Sequence, residues 1–250
     1  MIPFAFVFPG QGSQSVGMLD AWGDHPAVRQ TLEEASAALD EDIGALIRSG
    51  PKEKLDLTTQ TQPVMLTAGI ACYRAWLAET GLAPAVVAGH SLGEYTALVA
   101  AGALTLADAL PLVRLRAQAM QDAVPEGVGG IAAVLGLDVE QVRAVCADAA
   151  LGEVVDAVNL NSPGQIVIAG HRAAVERGMA LARERGAKRA LLLPMSVPSH
   201  CALMKPAAER LAAYLNDVRI DVPASPVIQN ADVESFGSEA AIKRALVEQL

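Results

Sequence analysis

The sequence predicts an α/β fold: a large domain built on a parallel sheet, interrupted by a small α+β insert. Three observations carry this reading. Short apolar runs that end in turn residues alternate with helical patterns over residues 1–125; the rhythm changes over 126–196; helical spacing and one further strand return over 197–250. With 250 residues the chain can bury a full core in one large domain and a small insert. Its residues are 52% hydrophobic but only 4% aromatic, so small and medium aliphatics supply the core, as layered helices and strands require.

The first strand is FAFVFPG, 4–10, closed by Pro9 and Gly10 and followed by a polar, glycine-rich turn. Helical patterns run over 24–48 and, with Pro63 as a starting residue, over 63–78. APAVVAG, 83–89, is short, apolar and β-branched, which suits an interior strand. A helix is expected from Ser91. Another begins at Thr105, where Asp108 stands three residues on as in a capping arrangement, and runs to about Asp122, with Pro111 inside it. Strand, helix, strand, helix is the order of a parallel sheet covered on both faces.

Over 126–196 the order becomes strand 131–136, helix 138–149, strands 154–159 and 165–170, helix 171–185 and strand 189–194. This β-α-β-β-α-β order is the ferredoxin-like pattern, and about 70 residues suffice for it. The large domain resumes over 197–250, with a strand at 225–230 and a last helix from about 238. Ile242, Leu246 and Leu250 follow helical spacing in that helix, and no stop signal follows them, so the large domain is expected to be cut short there.

Composition narrows the function. A net charge of −9 argues against a nucleic-acid binder. The basic segment RERGAKR, 183–189, reads as a solvated helix end, though it could receive an acidic partner. Cys72, Cys146 and Cys201 are an odd number at wide spacings, which suits buried thiols rather than a metal knuckle or a disulfide framework. No apolar run is long enough to span a bilayer, and MIPFAFVFPGQG reads as strand and turn rather than leader, so a cytoplasmic protein without a membrane segment is expected.

The segment VVAGHSLGEYTAL contains Gly89-His90-Ser91-Leu92-Gly93, a G-x-S-x-G pattern between an apolar strand and a helix. Small flanking residues let a sharp turn hold the serine side chain out of the sheet, and the helix N-terminus points amide hydrogens at charge developing beside it. Ser91 is the candidate nucleophile; the alternative is a tight structural turn. A serine needs a base. His90 suits turn support, while His25 and His171 stand at helix starts; His200, in SVPSHCALM where the large domain resumes, is the candidate base. No acidic residue lies near it in sequence, so a backbone carbonyl could orient its ring.

In ALPLVRLRAQAM, Arg116 has Leu112, Val113, Ala119 and Met120 at helical spacing, whereas Arg114 points to a more polar side. A guanidinium on an apolar face needs an anion. That anion is either an internal carboxylate or the free acid at the far end of an acyl substrate. In PGQGSQ, Ser15 stands where a dinucleotide fingerprint wants its third glycine, which disfavours nucleotide binding. The Gln11 N–H can instead pair with that of Leu92 as an oxyanion hole.

Taken together, FPGQGSQSVGM (8–18), TQPVML (61–66), GHSLGEYTAL (89–98), RLRAQAM (114–120), NSPGQIVIAG (161–170) and SVPSHCALM (196–204) closely resemble the malonyl-CoA:acyl-carrier-protein transacylase family. The resemblance implies a hydrolase-like α/β large domain with the ferredoxin-like insert. It also implies malonyl transfer from malonyl-CoA to the phosphopantetheine thiol of acyl-carrier protein, in fatty-acid synthesis, by a cytoplasmic monomer. By resemblance Ser91 is the nucleophile, His200 its base, Gln11 and Leu92 the oxyanion positions, and Arg116 the grip on the malonyl carboxylate. Gln249 resembles the glutamine whose backbone carbonyl orients the histidine. No metal or bound cofactor is implied; the coenzyme A thioester is a substrate. The rival readings are a serine thioesterase or esterase, and a non-catalytic carrier-protein binding module.

Overall fold

The structure, a computed structural model, describes residues 3–193 and 197–250. These form two compact units: one runs to Gln118 and resumes over Leu211–Gln249, and the other comprises Ala119–Arg210 with Leu250.

In chain order the elements up to Gln118 are β1 (Ala5–Phe8), α1 (Pro26–Leu39), α2 (Ile43–Ser49), α3 (Lys52–Leu55), α4 (Thr58–Thr80), β2 (Val86–Gly89), α5 (Leu92–Ala100) and α6 (Leu106–Ala123), which continues into the second unit. Then follow β3 (Gly129–Leu135), α7 (Val139–Ala150), β4 (Val155–Ser162), β5 (Gln165–His171), α8 (Arg172–Glu184), β6 (Arg189–Leu192), α9 (Lys205–Leu215), β7 (Val227–Ile228) and α10 (Glu239–Gln249).

The first unit holds a parallel sheet in the order β1-β2-β7. Strand alternation sends Phe4, Phe6 and Phe8 to one side, where they meet Tyr73 and Trp76 of α4 with ring centroids 5.4 to 6.1 Å apart. α4 is buried along most of its length between these rings and a cluster in which Val28, Ile43, Ile47 and Leu55 meet its Val64, Ala68 and Ala71.

The helical pattern over 24–48 is two helices, because Asp40 turns left-handed (φ 52°) and the Asp42 side chain caps the next helix by accepting from the Ala45 N–H. α4 begins at Thr58 rather than at Pro63. The Thr61 hydroxyl shares its proton between the carbonyls of Leu55 and Leu57, at 2.6 and 3.0 Å, which ties the first turn of α4 back to the end of α3. Thr105 caps α6 as expected, its Oγ accepting from the Asp108 N–H at 3.0 Å.

The second unit holds an antiparallel sheet in the order β4-β5-β3-β6. Alternation again divides the side chains. Ala132, Val134, Ile166 and Ile168 face α7 and α8, whereas Ile131, Val167 and Ala169 pack with Cys201 on the opposite face. α7 opens on a full capping box between Asp138 and Gln141. This compact unit is wider than the 126–196 span read from the sequence, because α6 carries on to Ala123 and Cys201 and Leu203 pack on its sheet. The expected end of the sixth strand at residue 194 and the expected boundary at 196 lie outside the described residues.

Cys146 and Cys201 are buried free thiols, which burial pushes up to about 12 and about 11; Cys72 is half-buried. In RERGAKR, Arg183 donates to the Ala190 carbonyl and Arg185 pairs with Asp148. Among the described residues no helix is long and apolar enough to cross a membrane.

Candidate active site

β1 and β2 run side by side with Phe8 opposite Gly89, and the turn after β1 lies against the turn after β2. The His90 N–H donates to the Phe8 carbonyl over 3.0 Å. A Cβ on Gly10 would stand 2.5 Å from the His90 carbonyl oxygen, so a glycine is needed for this approach.

Ser91 sits on the sharp connection from β2 to α5 at φ 50° and ψ −106°. Such a conformation costs an L residue about 1 to 3 kcal/mol and persists only where the surroundings impose it. The flanking glycines permit it. A Cβ on Gly89 would lie 1.9 Å from the Gly93 carbonyl group, and one on Gly93 would lie 2.3 Å from the Phe8 carbonyl oxygen. The G-x-S-x-G spacing is therefore a packing requirement of α5 against the ends of β1 and β2.

Three polar residues hold the elbow. Asn230, just beyond β7, accepts the Ser91 N–H at 2.6 Å through Oδ1 and donates Nδ2 to the Gly89 carbonyl at 2.7 Å. Gln249, at the end of α10, donates Nε2 to the Ser91 carbonyl at 2.9 Å. Glu94 accepts through Oε2 from the Asn230 N–H at 2.8 Å and from Gln249 Nε2 at 3.0 Å. Glu94 is fully buried at 0% exposure, and burial raises its carboxyl to about 7 against the opposing pull of Gln249, Asn230 and Arg116.

Arg116 of α6 is 1% exposed. Its Nη2 donates to Ser91 Oγ at 3.1 Å and to Gln249 Oε1 at 2.9 Å, and its Nη1 donates to Gln62 Oε1 at 3.0 Å. These acceptors are neutral oxygens. The guanidinium also lies over the Tyr95 ring, 5.4 Å from its centroid, and Nε has no hydrogen-bond partner among the described residues. Burial pulls Arg116 below its usual value, while Tyr95 and Glu94 act in the opposite sense. The cation is thus held by amide oxygens, a hydroxyl and an aromatic face, with the buried Glu94 carboxyl as the charge that acts on it. Arg114, two residues earlier, makes a bidentate pair with Glu41 at 2.6 and 3.1 Å.

Among the other residues expected from the sequence, Leu92 is the first residue of α5, so its N–H belongs to the helix end that lacks an intrahelical acceptor. Gln11 lies in the turn after β1, with Nε2 donating to Thr58 Oγ1 at 3.1 Å. His200 belongs to the second unit, half-buried and in a left-handed conformation at φ 66°. Its neighbours anchor it there: Ser199 N–H donates to the Val197 carbonyl, Cys201 Sγ to the Pro198 carbonyl and Ala202 N–H to Asp156. Ser91 and His200 are two of the five non-glycine residues at positive φ among those described. His25 caps α1 through Nδ1, and His171 accepts the Val154 N–H through Nδ1 at 2.9 Å rather than capping α8.

One unit thus brings together Ser91, Leu92, Arg116 and Gln249, with Asn230, Glu94 and Gln62 in roles the sequence did not assign. Two signals were available. Glu94 is an acid three residues beyond Ser91 in an apolar helix, and Asn230 follows the carboxyl end of a parallel strand, where sites in such sheets form.

An acyl transferase domain family matches residues 5–246, and the chain belongs to it. Among individual proteins it is 56% identical to the malonyl CoA-acyl carrier protein transacylase of Escherichia coli K12, over 100% of this chain and 81% of that protein. Identity to the protein of that name from Bacillus subtilis 168 is 45%, over 100% of this chain and 79% of the other. The crystal structure of an acyl-carrier-protein S-malonyltransferase from Burkholderia pseudomallei 1710b superposes with a TM-score of 0.97 at 61% identity, covering 99% of this chain and 81% of that one. A malonyl-transacylase solved in complex with a type II PKS acyl-carrier protein gives 0.97 at 51% identity, covering 100% and 81%.

Proposed function

We propose that this chain transfers the malonyl group of malonyl-CoA to the phosphopantetheine thiol of acyl-carrier protein, through a malonyl ester on Ser91, for fatty-acid biosynthesis. The observation that carries the substrate assignment is the buried Arg116 guanidinium, 3.1 Å from the Ser91 hydroxyl and bonded to neutral oxygens. A substrate with a carboxylate at one end and a thioester at the other would satisfy the cation while presenting its carbonyl to the serine.

In the first half-reaction Ser91 Oγ attacks the thioester carbon as His200 takes the hydroxyl proton. The N–H groups of Gln11 and Leu92 receive the oxyanion. Collapse breaks the carbon–sulfur bond, and the coenzyme A sulfur leaves with the proton held by the imidazolium. In the second half, His200 takes the proton of the carrier-protein thiol, the sulfur attacks the malonyl carbon, and Ser91 departs with that proton. The Gln249 backbone carbonyl orients the His200 ring, in place of the acidic member of a triad. The coenzyme A thioester is a substrate, and the scheme uses no metal and no bound cofactor.

The fold supports this reading in its details. The strand–elbow–helix at Ser91 is the arrangement of hydrolase-like α/β domains. The β4-β5-β3-β6 order, reached through β-α-β-β-α-β, supports a ferredoxin-like insert; within the compact unit Ala119–Arg210 we assign that insert to 126–196, and the large domain to 1–125 and 197–250. A cytoplasmic monomer goes with the reading.

The test measures both possible acceptors. With malonyl-CoA as donor, the chain should load holo acyl-carrier protein at least about 100 times faster than it releases free malonate. Hydrolysis at the faster rate would make it a thioesterase, and a folded chain that does neither would make it a binding module.

A further inference from the structure

We propose that Asn230 is a positioning residue for the nucleophile, its carboxamide bracketing the elbow at the Ser91 N–H and the Gly89 carbonyl; this rests on the reading of Ser91 as the acyl acceptor. The bracket is built from distant parts of the chain. β7 pairs in parallel with β2, with Ile228 opposite Ala88, so the chain leaving β7 runs level with the chain entering the elbow. Asn230 there makes two short bonds to backbone atoms on either side of His90, at 2.6 and 2.7 Å. The partners fix its orientation, because a backbone N–H needs the carboxamide oxygen and a carbonyl needs the nitrogen.

Asn230 is itself held. Its backbone N–H donates to Glu94 Oε2, the oxygen that also accepts from Gln249 Nε2. The same Gln249 nitrogen reaches the Ser91 carbonyl. Both peptide groups flanking the Ser91 Cα are therefore bonded to side chains, Asn230 before it and Gln249 after it. A residue at φ 50° and ψ −106° needs such restraint, since relaxation towards an ordinary conformation would swing its hydroxyl away from the direction the turn imposes. Asn230 acts through the backbone and makes no contact with the reacting atoms in this scheme.

The experiment compares the unaltered chain with Asn230→Ala and Asn230→Asp. Two rates are read by mass spectrometry at Ser91: acylation by malonyl-CoA without acceptor, across concentrations, and phosphonylation by a fluorophosphonate, which needs no malonyl grip. Asn230→Ala should lower the saturating acylation rate and the phosphonylation rate together, on the order of 10- to 100-fold, with the half-saturating malonyl-CoA concentration changed less than about threefold. Asn230→Asp keeps an oxygen for the Ser91 N–H but turns the other oxygen, an acceptor, on the Gly89 carbonyl, so it should also lower both rates by at least roughly several-fold, and it serves where the alanine variant fails to fold. Unaltered rates per folded molecule in either variant, or a loss confined to thermal stability, would overturn the proposal. A chain that is phosphonylated at Ser91 but takes no malonyl group would fail the substrate reading alone, and the phosphonylation rates would still decide the role of Asn230. No reaction with either reagent overturns both.

Discussion

Arg116 donates to the hydroxyl of Ser91 across 3.1 Å, so the buried cation of α6 and the strained serine at the head of α5 form one polar unit. Its other hydrogen bonds are to the side-chain oxygens of Gln62 and Gln249, which leaves the charge without a carboxylate bonded to it among the described residues. Arg116→Ala should therefore cost malonyl transfer far more than acetyl transfer, because acetyl offers no distal carboxylate. The loss of a buried charge pair, about 2 to 5 kcal/mol, corresponds to a factor of roughly 30 to several thousand in relative efficiency. Transfer efficiencies for the two donors, measured on the folded variant, check this. Equal proportional losses would make Arg116 a structural cation.

Glu94 gives the site a pH signature in stability. Burial raises its carboxyl from 4.5 to about 7, so the folded chain holds a proton there that the unfolded chain has released. The contribution to stability is fully present below about pH 4.5 and is lost as the pH rises through about 7, on the order of 3 kcal/mol in all. Glu94→Gln keeps a carbonyl oxygen for the Asn230 and Gln249 donors and removes the titration. Its thermal midpoint should fall less than that of the unaltered chain between about pH 5 and 8. Parallel profiles for the two chains would show that Glu94 does not titrate in this range.

The elbow glycines yield a sharper contrast. Gly89→Ala places a Cβ 1.9 Å from the Gly93 carbonyl group, whereas Gly237→Ala meets nothing within 4 Å at a backbone conformation any residue adopts. The first should destabilise the chain by about 3 kcal/mol or more and abolish acylation of Ser91, and the second should change stability by less than about 0.5 kcal/mol. Denaturant midpoints and slopes on both variants check this. A Gly89→Ala chain of normal stability would mean that α5 can retreat from the strands without cost.

Local chemistry made much of this legible in the sequence. FAFVFPG and APAVVAG were readable because short apolar runs stop at turn residues, and Ser91 because two glycines bracket it between strand and helix. Arg116 stood out as a charge on an apolar face. The break at Asp40 and the start of α4 before Pro63 were not readable, since the first depends on a left-handed conformation at an ordinary residue and the second on a threonine hydroxyl bonding backwards. The network behind the serine was less readable still. Asn230 and Gln249 join Ser91 across 139 and 158 residues, and no short-range pattern encodes a contact that exists only once β7 pairs with β2 and α10 has docked. Gln62 lay inside a recognisable stretch, yet nothing local marked its oxygen as an acceptor for Arg116.

The most direct measurement is the mass of the chain after incubation with malonyl-CoA and no thiol acceptor, with the modified peptide identified. The strained elbow, the arginine beside the hydroxyl and the two-step scheme together predict one malonyl group per chain, carried on Ser91 and discharged when holo acyl-carrier protein is added. A folded chain that gains no malonyl group across substrate concentrations and pH, or that carries it on another residue while Ser91 remains free, would contradict the account.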